Sequence, residues 1–161
     1  MNQDIRIHLK STRYEVEASL FTSSAEKGEL SSLLGIPEAE PEVIEIRSLG
    51  KLKREDGRIE ISYDETEVTG MEGSSTAVSF LESETGVVSM IREGTVSTVL
   101  VFESGKRNHC VYNTPYMPFE VCVHTLKVEN RLMEEGYLDL DYVIEIRGAQ
   151  AERTKFRMEI L

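Results

Sequence analysis

The chain has 161 residues, of which 40% are hydrophobic and 29% are charged, and its formal net charge is -11. This composition is typical of a folded protein with a substantial core. The excess of acids disfavours non-specific binding to nucleic acid or to anionic lipid, because both need a surplus of lysine and arginine. We therefore expect no nucleic-acid partner and no membrane partner.

The first ten residues alternate charged and apolar side chains and lack the continuous apolar run of a secretory signal. No segment of the sequence has the length and hydrophobicity of a membrane-spanning helix. Cysteine occurs only at Cys110 and Cys122, so disulfide bonds are not what stabilises the fold. Together these features predict a cytoplasmic protein, either a monomer or a homodimer.

The N-terminal pattern predicts a half-buried strand, because Ile5, Ile7 and Leu9 alternate with charged residues. A second strand, residues 14–20, is expected to follow the first strand or to continue it. The pattern then breaks over residues 22–42, which we interpret as an insertion containing one short helix, with capping-box spacing at residues 23–26. This helix could cap one mouth of a barrel or pack on its outside.

Asp56-Gly57 is a strong signal for a type I′ hairpin turn, which needs positive φ at both central residues. Folding the flanking strands about this turn brings apolar side chains onto one shared face. The expected pairs are Leu52 with Ile61, Gly50 with Tyr63, Ser48 with Glu65 and Ile46 with Glu67.

Period-two alternation continues to the end of the chain. The apolar phase shifts within the strand that begins at Phe119, and one extra residue near Thr125, a β-bulge, accounts for this shift. About eight to ten antiparallel strands joined by short turns result. We expect a single all-β domain over residues 1–161, folded as a closed or nearly closed up-and-down barrel.

Several segments carry a family resemblance, which covers about two thirds of the chain. They are residues 5–11, 63–65, 88–94, 112–116 and 136–142, together with the strand around Thr125. In these segments the chain resembles the YwiB-like family, bacterial β-barrels with a calycin (lipocalin-like) fold whose function is uncharacterised. The resemblance implies the barrel fold, and calycins elsewhere bind small ligands inside the barrel, an analogy from fold alone.

Arg92 is the first candidate for a functional side chain. Strand parity turns it inward with Val88 and Met90, and a guanidinium inside a barrel must be paired or solvated. It could anchor a carboxylate or phosphate of a ligand, with Tyr63, Glu65, Tyr112 and Tyr142 lining the same interior. Alternatively, Arg92 forms an internal ion pair with Glu65 or Glu67, or reaches solvent at the rim.

His109, Cys122 and His124 form a second, weaker candidate site. If the turn is centred between Tyr116 and Met117, His109 faces His124 and Cys122 lies on the same side, so the three could bind Zn²⁺. Shifting the turn by one residue instead places Cys110 opposite Cys122, where a disulfide could form. Two surface histidines and a partly buried thiol without a metal are the more probable interpretation, so we expect no metal and no cofactor.

No catalytic motif is present: the sequence lacks a nucleophile elbow and a phosphate-binding loop. We therefore expect a protein without enzymatic activity. A barrel that binds a small anionic or amphipathic ligand is the favoured function. The alternative is a solidly packed barrel that acts as a protein-interaction or structural module.

Overall fold

The computed structural model describes residues 2–16, 41–66, 73–146 and 150–161. Each strand in these ranges pairs in antiparallel fashion with the next strand along the chain, and the last strand pairs with the first, which closes a ten-stranded barrel. The predicted up-and-down barrel is thus confirmed. Its strands are β1 (Asn2–Val16), β2 (Glu42–Glu55), β3 (Arg58–Asp64), β4 (Ser75–Leu81), β5 (Glu84–Glu93), β6 (Ser97–Glu103), β7 (Arg107–Asn113), β8 (Phe119–Arg131), β9 (Tyr137–Ile146) and β10 (Gln150–Ile160).

The β2–β3 hairpin has the predicted turn, with positive φ at both Asp56 (52°) and Gly57 (77°). The predicted pairs of Gly50 with Tyr63 and of Leu52 with Ile61 are confirmed. The predicted extension to Glu65 is wrong: the ladder ends at Gly50 and Tyr63, and the Glu65 N–H donates to the Ser74 carbonyl instead. Beyond this point β2 stays paired with β1, and in the described ranges no backbone pairing joins it to β3, which leaves a gap in the wall among these residues.

The barrel has two different ends. Short connections join β2 to β3, β4 to β5, β6 to β7 and β8 to β9 at one end, and we call the adjoining part of the interior the hairpin half. The other connections, including the long one between β1 and β2, lie at the opposite end, beside what we call the loop half. The short helix predicted in the 22–42 insertion and the pairing of Glu67 both lie outside the described residues.

The hairpin half is filled by apolar side chains that alternate along the strands with outward-facing polar ones. Many of them have no measurable contact with solvent. This core includes Ile7, Ile59, Ile61, Val78, Val88, Leu100, Phe102, Leu138, Leu140 and Met158.

Two irregularities shape β8 and its connection to β9. The predicted β-bulge is confirmed, because Thr125 pairs with Tyr142 while Lys127 pairs with Asp141. The connection holds a four-residue helix, α1 (Leu132–Glu135). Gly136 ends α1 in the left-handed region (φ 82°), where glycine is favoured. No helix in the described ranges combines the length and hydrophobicity needed to cross a membrane.

Candidate functional site

Inward-facing side chains change from apolar to polar along most strands of the barrel. On β1, for example, Ile5, Ile7 and Leu9 are buried in the core, whereas the next inward residues are Ser11 and Arg13. The same change recurs on β3, β4, β5, β6, β7, β9 and β10. The polar set of the loop half comprises Ser11, Arg13, Tyr63, Glu65, Thr76, Arg92, Thr98, Tyr112, Tyr142 and Thr154.

Arg92, Thr76 and Glu65 form a hydrogen-bonded network inside this polar set. The Thr76 hydroxyl donates to Glu65 Oε1 at 2.6 Å and accepts from Arg92 Nε at 3.2 Å. Arg92 also contacts Glu65 directly, with 3.7 Å between Nη2 and Oε1. The Glu65 side chain is only 2% exposed and that of Arg92 is 18% exposed, so this pair is shielded from solvent. The expected inward orientation of Arg92 is observed, and so is its internal ion pair.

Three tyrosines surround this network, and burial keeps their hydroxyls neutral. Burial, reinforced by the negative charge of Glu65, raises the pKa of Tyr63 far above its usual range. Burial likewise raises the pKa of Tyr142 to about 12. It raises the pKa of Tyr112 as well, against the opposing charge of Arg92. A tyrosine is already protonated at neutral pH, because its ordinary pKa is about 10, and burial extends the donor form of these three side chains further into the alkaline range.

Arg13 is a second inward arginine, which the sequence analysis missed. Its Nε lies 3.9 Å from Glu152 Oε1, and its side chain is 33% exposed. Burial raises the pKa of Glu152, while the charge of Arg13 acts in the opposite direction. The odd-numbered parity of Ile5, Ile7 and Leu9 could have identified Arg13, because β1 continues in the same register to Val16.

A small cavity lies where β2 leaves β3. The described residues that line it are Leu9, Ser11, Arg13, Ile44, Ile46, Tyr63, Glu65 and Arg92. It opens to solvent and leaves about 40 Å³ for the centres of water molecules, enough for about three waters at roughly 10–15 Å³ each. The cavity therefore has room for a small polar group and no room for a bulky apolar ligand.

The structure brings the five predicted ligand-binding residues into one region of the interior. Tyr63, Glu65 and Arg92 line the cavity directly. Tyr112 and Tyr142 lie close enough that the charge of Arg92 affects the pKa of both. Their clustering fits the predicted site.

The expected register between β7 and β8 is wrong, and the predicted zinc ligands are separated. The turn is centred between Pro115 and Tyr116, so His109 faces Cys122 and His124 faces Arg107. The Thr114 hydroxyl shapes this turn by accepting hydrogen bonds from the Tyr116 and Met117 N–H groups.

This register supports neither the predicted zinc site nor the predicted disulfide between Cys110 and Cys122. Burial, together with the charge of Arg107, lowers the pKa of His124, and a guanidinium at this place disfavours a cation. Within the described part of the chain, no cluster of three or more histidine, cysteine or acidic residues could hold a metal ion. Cys110 is buried opposite Val121 while Cys122 faces outward, so both are free cysteines on opposite sides of the sheet.

Thr125, at the bulge, carries a buried hydroxyl without a hydrogen-bond partner among the described residues. Its side chain is inaccessible to solvent and it pairs with Tyr142, whose ring packs against Phe102 at a centroid distance of 4.5 Å. A buried hydroxyl with no partner is uncommon and costs free energy. The bulge therefore has an energetic cost in the middle of the barrel.

Comparisons with known proteins identify the family and support the fold. The model of the family described as "Domain of unknown function (DUF1934)" matches residues 35–158. The crystal structure of the ywiB protein from Bacillus subtilis is similar, with a TM-score of 0.65 over 99% of this chain and 93% of that one. The two chains share 17% identity, so this likeness concerns the fold alone. No curated protein matches the sequence.

Proposed function

The chain belongs to the DUF1934 family. We propose that its barrel binds the anionic head group of a small molecule in the loop half. One observation carries the proposal. Arg13 and Arg92 line the same cavity, and each meets its carboxylate partner at a long distance, 3.9 Å and 3.7 Å. Both guanidinium groups therefore keep donors for a further oxyanion.

An arginine on the outer face of the barrel provides the contrast. Arg153 contacts Asp141 through two short hydrogen bonds, of 3.0 Å and 2.7 Å, in the paired geometry that saturates a carboxylate. Arg92 donates only Nε to Thr76 and approaches Glu65 with Nη2, among the described residues. Since a guanidinium has five N–H donors, Arg92 can still bind two oxygens of a carboxylate or phosphate.

The size of the cavity limits the part of the ligand that enters. A space for about three waters accommodates a head group of roughly four or five heavy atoms. The remainder of the molecule would extend through the gap between β2 and β3, where Ile44 and Ile46 offer an apolar wall. This mode of binding agrees with the calycin-like analogy and with a cytoplasmic carrier or sensor of a small anionic or amphipathic metabolite.

The alternative function is a solidly packed barrel that serves as an interaction or structural module. The apolar hairpin half supports it, because the inward side chains there are buried against one another. On this alternative, Arg92, Thr76 and Glu65 are a structural network and the cavity holds only water. A direct binding measurement separates the two functions.

We would first record native mass spectra of protein purified from a bacterial cytoplasm, to detect a small molecule that co-purifies. The same protein, ¹⁵N-labelled, would then be titrated with acetate, succinate and phosphate by NMR. We expect saturable shift changes at Arg13, Tyr63 and Arg92 with at least one anion. Arg13→Gln should weaken this binding by about tenfold or more, because it removes one of two cationic contacts.

Arg107→Gln is the matched control, because Arg107 forms an ion pair of 3.4 Å with Glu145 on the outside of the barrel. It should leave anion binding unchanged. Arg13 is partly exposed, so its substitution is expected to preserve the fold, which the NMR spectrum verifies. Non-saturable shifts, or equal weakening by both variants, together with a bare native mass, would exclude the anion-binding site and leave the structural module.

A further inference from the structure

The outward side chains of β10, β1 and β2 form a basic face on an otherwise acidic protein. Eight of the 18 lysine and arginine residues lie there, with only four acids, Asp4, Glu45, Glu55 and Glu159. Ten bases and 25 acids remain for the rest of the chain. The bases of this face are Arg6, Lys10, Arg47, Lys51, Lys53, Arg153, Lys155 and Arg157.

Half of these bases are exposed, and two of them face an acid across the β1–β2 ladder, Lys10 opposite Glu45 and Lys51 opposite Asp4. Arg6, Lys10, Arg47 and Lys51 are exposed, and none forms an ion pair with any described residue. Lys155 is also exposed and lies 5.9 Å from the centre of the Tyr14 ring. Arg6 and Arg47 have no acid opposite them in this ladder, where their partners are Leu49 and His8, so both are available to a partner of opposite charge.

Leu49 stands at the centre of the unpaired group. It pairs with Arg6 across the β1–β2 ladder, and Arg47 and Lys51 flank it on the same face of β2. Its side chain is 75% exposed, more than Val43 (52%), the other large apolar residue exposed on this face. An exposed apolar side chain flanked by Arg6, Arg47 and Lys51 offers a partner an apolar contact with a charged rim.

We propose that the basic face binds an acidic polypeptide segment in which a large apolar side chain, flanked by acids, packs on Leu49. Alternate residues of a strand are about 7 Å apart, so an extended segment can place an acid opposite Arg47 and another opposite Lys51. The apolar contact and the two ion pairs then form together. This partner is independent of the anion bound inside the barrel.

Charge complementarity favours a short acidic segment over a long polyanion. Nucleic-acid affinity accumulates over many phosphates, and a long strand would extend beyond the basic face onto the acidic remainder of the surface. Screening over about 8–10 Å does not remove that repulsion at the point of contact. A short polypeptide meets the cations and avoids the acids.

The test uses a fluorescein-labelled peptide with glutamates on both sides of a central leucine, titrated with the full chain by fluorescence anisotropy. We expect saturable binding that weakens as salt is raised. The double variant Arg47→Glu/Lys51→Glu should reduce affinity by at least about tenfold, through lost attraction and new repulsion. Leu49→Ser should reduce it several-fold, and replacing the peptide leucine with serine should add little to that loss.

Matched controls are available elsewhere on the barrel. Lys106 is an exposed base in the β6–β7 connection, and Val99 is an outward apolar residue of β6 that is 52% exposed. Lys106→Glu and Val99→Ser should leave peptide affinity unchanged. Arg13→Gln should also leave it unchanged, which separates this inference from the interior site.

Three outcomes would overturn the proposal. The first is equal peptide affinity for the wild type and the Arg47→Glu/Lys51→Glu variant. The second is tighter binding to a single-stranded oligouridylate or to vesicles containing phosphatidylserine than to the peptide. The third is self-association in sedimentation velocity that this double variant abolishes, which would identify a second copy of the chain as the occupant of the face.

Discussion

The two halves of the barrel interior are filled by different chemistry on the same strands. In the hairpin half, aliphatic and aromatic side chains such as Ile59, Val88 and Phe102 are fully buried and need no partners beyond one another. In the loop half, inward residues further along those strands, Tyr63, Arg92 and Thr98, are polar. The change occurs at the same level on neighbouring strands, because Tyr63 pairs with Thr76, Thr76 with Arg92 and Arg92 with Thr98.

Stability alone does not explain why the loop half is filled by polar side chains. An apolar filling of the same volume is often equal to or better than a buried ion pair, because desolvation of the charges offsets their attraction. The Arg92–Glu65 pair is also poorly suited to stabilisation, because its contact is long and not bidentate. The polar half is thus the part of the interior in which a binding role is expected.

The largest effect should follow from opening a cavity in the hairpin half. Phe102 is fully buried and packs on Tyr142, so Phe102→Ala should lower the free energy of unfolding by about 3–5 kcal/mol. Chemical denaturation at neutral pH measures this loss. The outward neighbour variant Val99→Ala should change stability by less than about 0.5 kcal/mol. If Phe102→Ala lowered the free energy of unfolding no more than Val99→Ala does, the hairpin half would not be the stabilising core.

Breaking the ion pair in the loop half should have the next largest effect. Arg92→Ala leaves Glu65 buried without its cation, and the expected loss is about 3 kcal/mol, at the low end for buried pairs because Arg92 is partly solvated.

The double variant Arg92→Gln/Glu65→Gln should recover most of that loss, because it removes both charges and keeps a hydrogen-bond acceptor for Thr76. A double variant as unstable as Arg92→Ala would show that the pair itself, rather than an unpaired charge, determines stability.

Alkaline pH should destabilise the protein through Tyr142. Burial raises the pKa of Tyr142 to about 12 in the folded protein, against about 10 for an exposed tyrosine, so the unfolded chain releases the proton first. Stability is therefore complete below pH 10 and falls as pH rises towards 12, by about 2–3 kcal/mol for this group.

Urea denaturation at a series of pH values should show a shallower alkaline fall for Tyr142→Phe. The control Tyr116→Phe changes a side chain that is 95% exposed and should reproduce the wild-type profile. An unchanged profile for Tyr142→Phe would assign the alkaline loss to other groups.

The smallest effect, and the one expected gain, concerns the bulge between the halves. Thr125→Val replaces a buried hydroxyl without a described partner by a methyl group of similar size. Stability should rise, by up to about 1 kcal/mol, because an unsatisfied polar atom is removed. Thermal unfolding measures the change. A clear loss would instead indicate an ordered water at Thr125 Oγ1, extending the polar half further into the barrel.

Much of the architecture could be predicted because it depends on local patterns. Alternation of side chains identified the strands, Asp56-Gly57 specified its hairpin and register, and the change of phase near Thr125 located the bulge. The inward orientation of Arg92 and of three tyrosines followed from the same parity. Arg13 was missed although its parity was equally clear, because β1 was not followed beyond Leu9 with the same rule.

The predictions that failed depended on where strands pair across longer distances. The β7–β8 turn contains no residue pair that specifies its centre. The observed register therefore differs from the predicted one, and Arg107 instead of His109 lies opposite His124. The β2–β3 ladder ends at Tyr63 because β2 departs to follow β1, which no feature near Glu65 reveals. α1 has only four residues, too few for a helical pattern.

The sequence by itself determined the class of fold and the faces of the strands, because alternation within one strand decides which side chains face the core. Only the tertiary structure decided where the wall opens, which carboxylates pair with Arg13 and Arg92, and how large the cavity is. It likewise assembled the basic face from three strands, two adjacent only because the barrel closes. Closure brings together residues more than a hundred positions apart, and no local pattern records those distances.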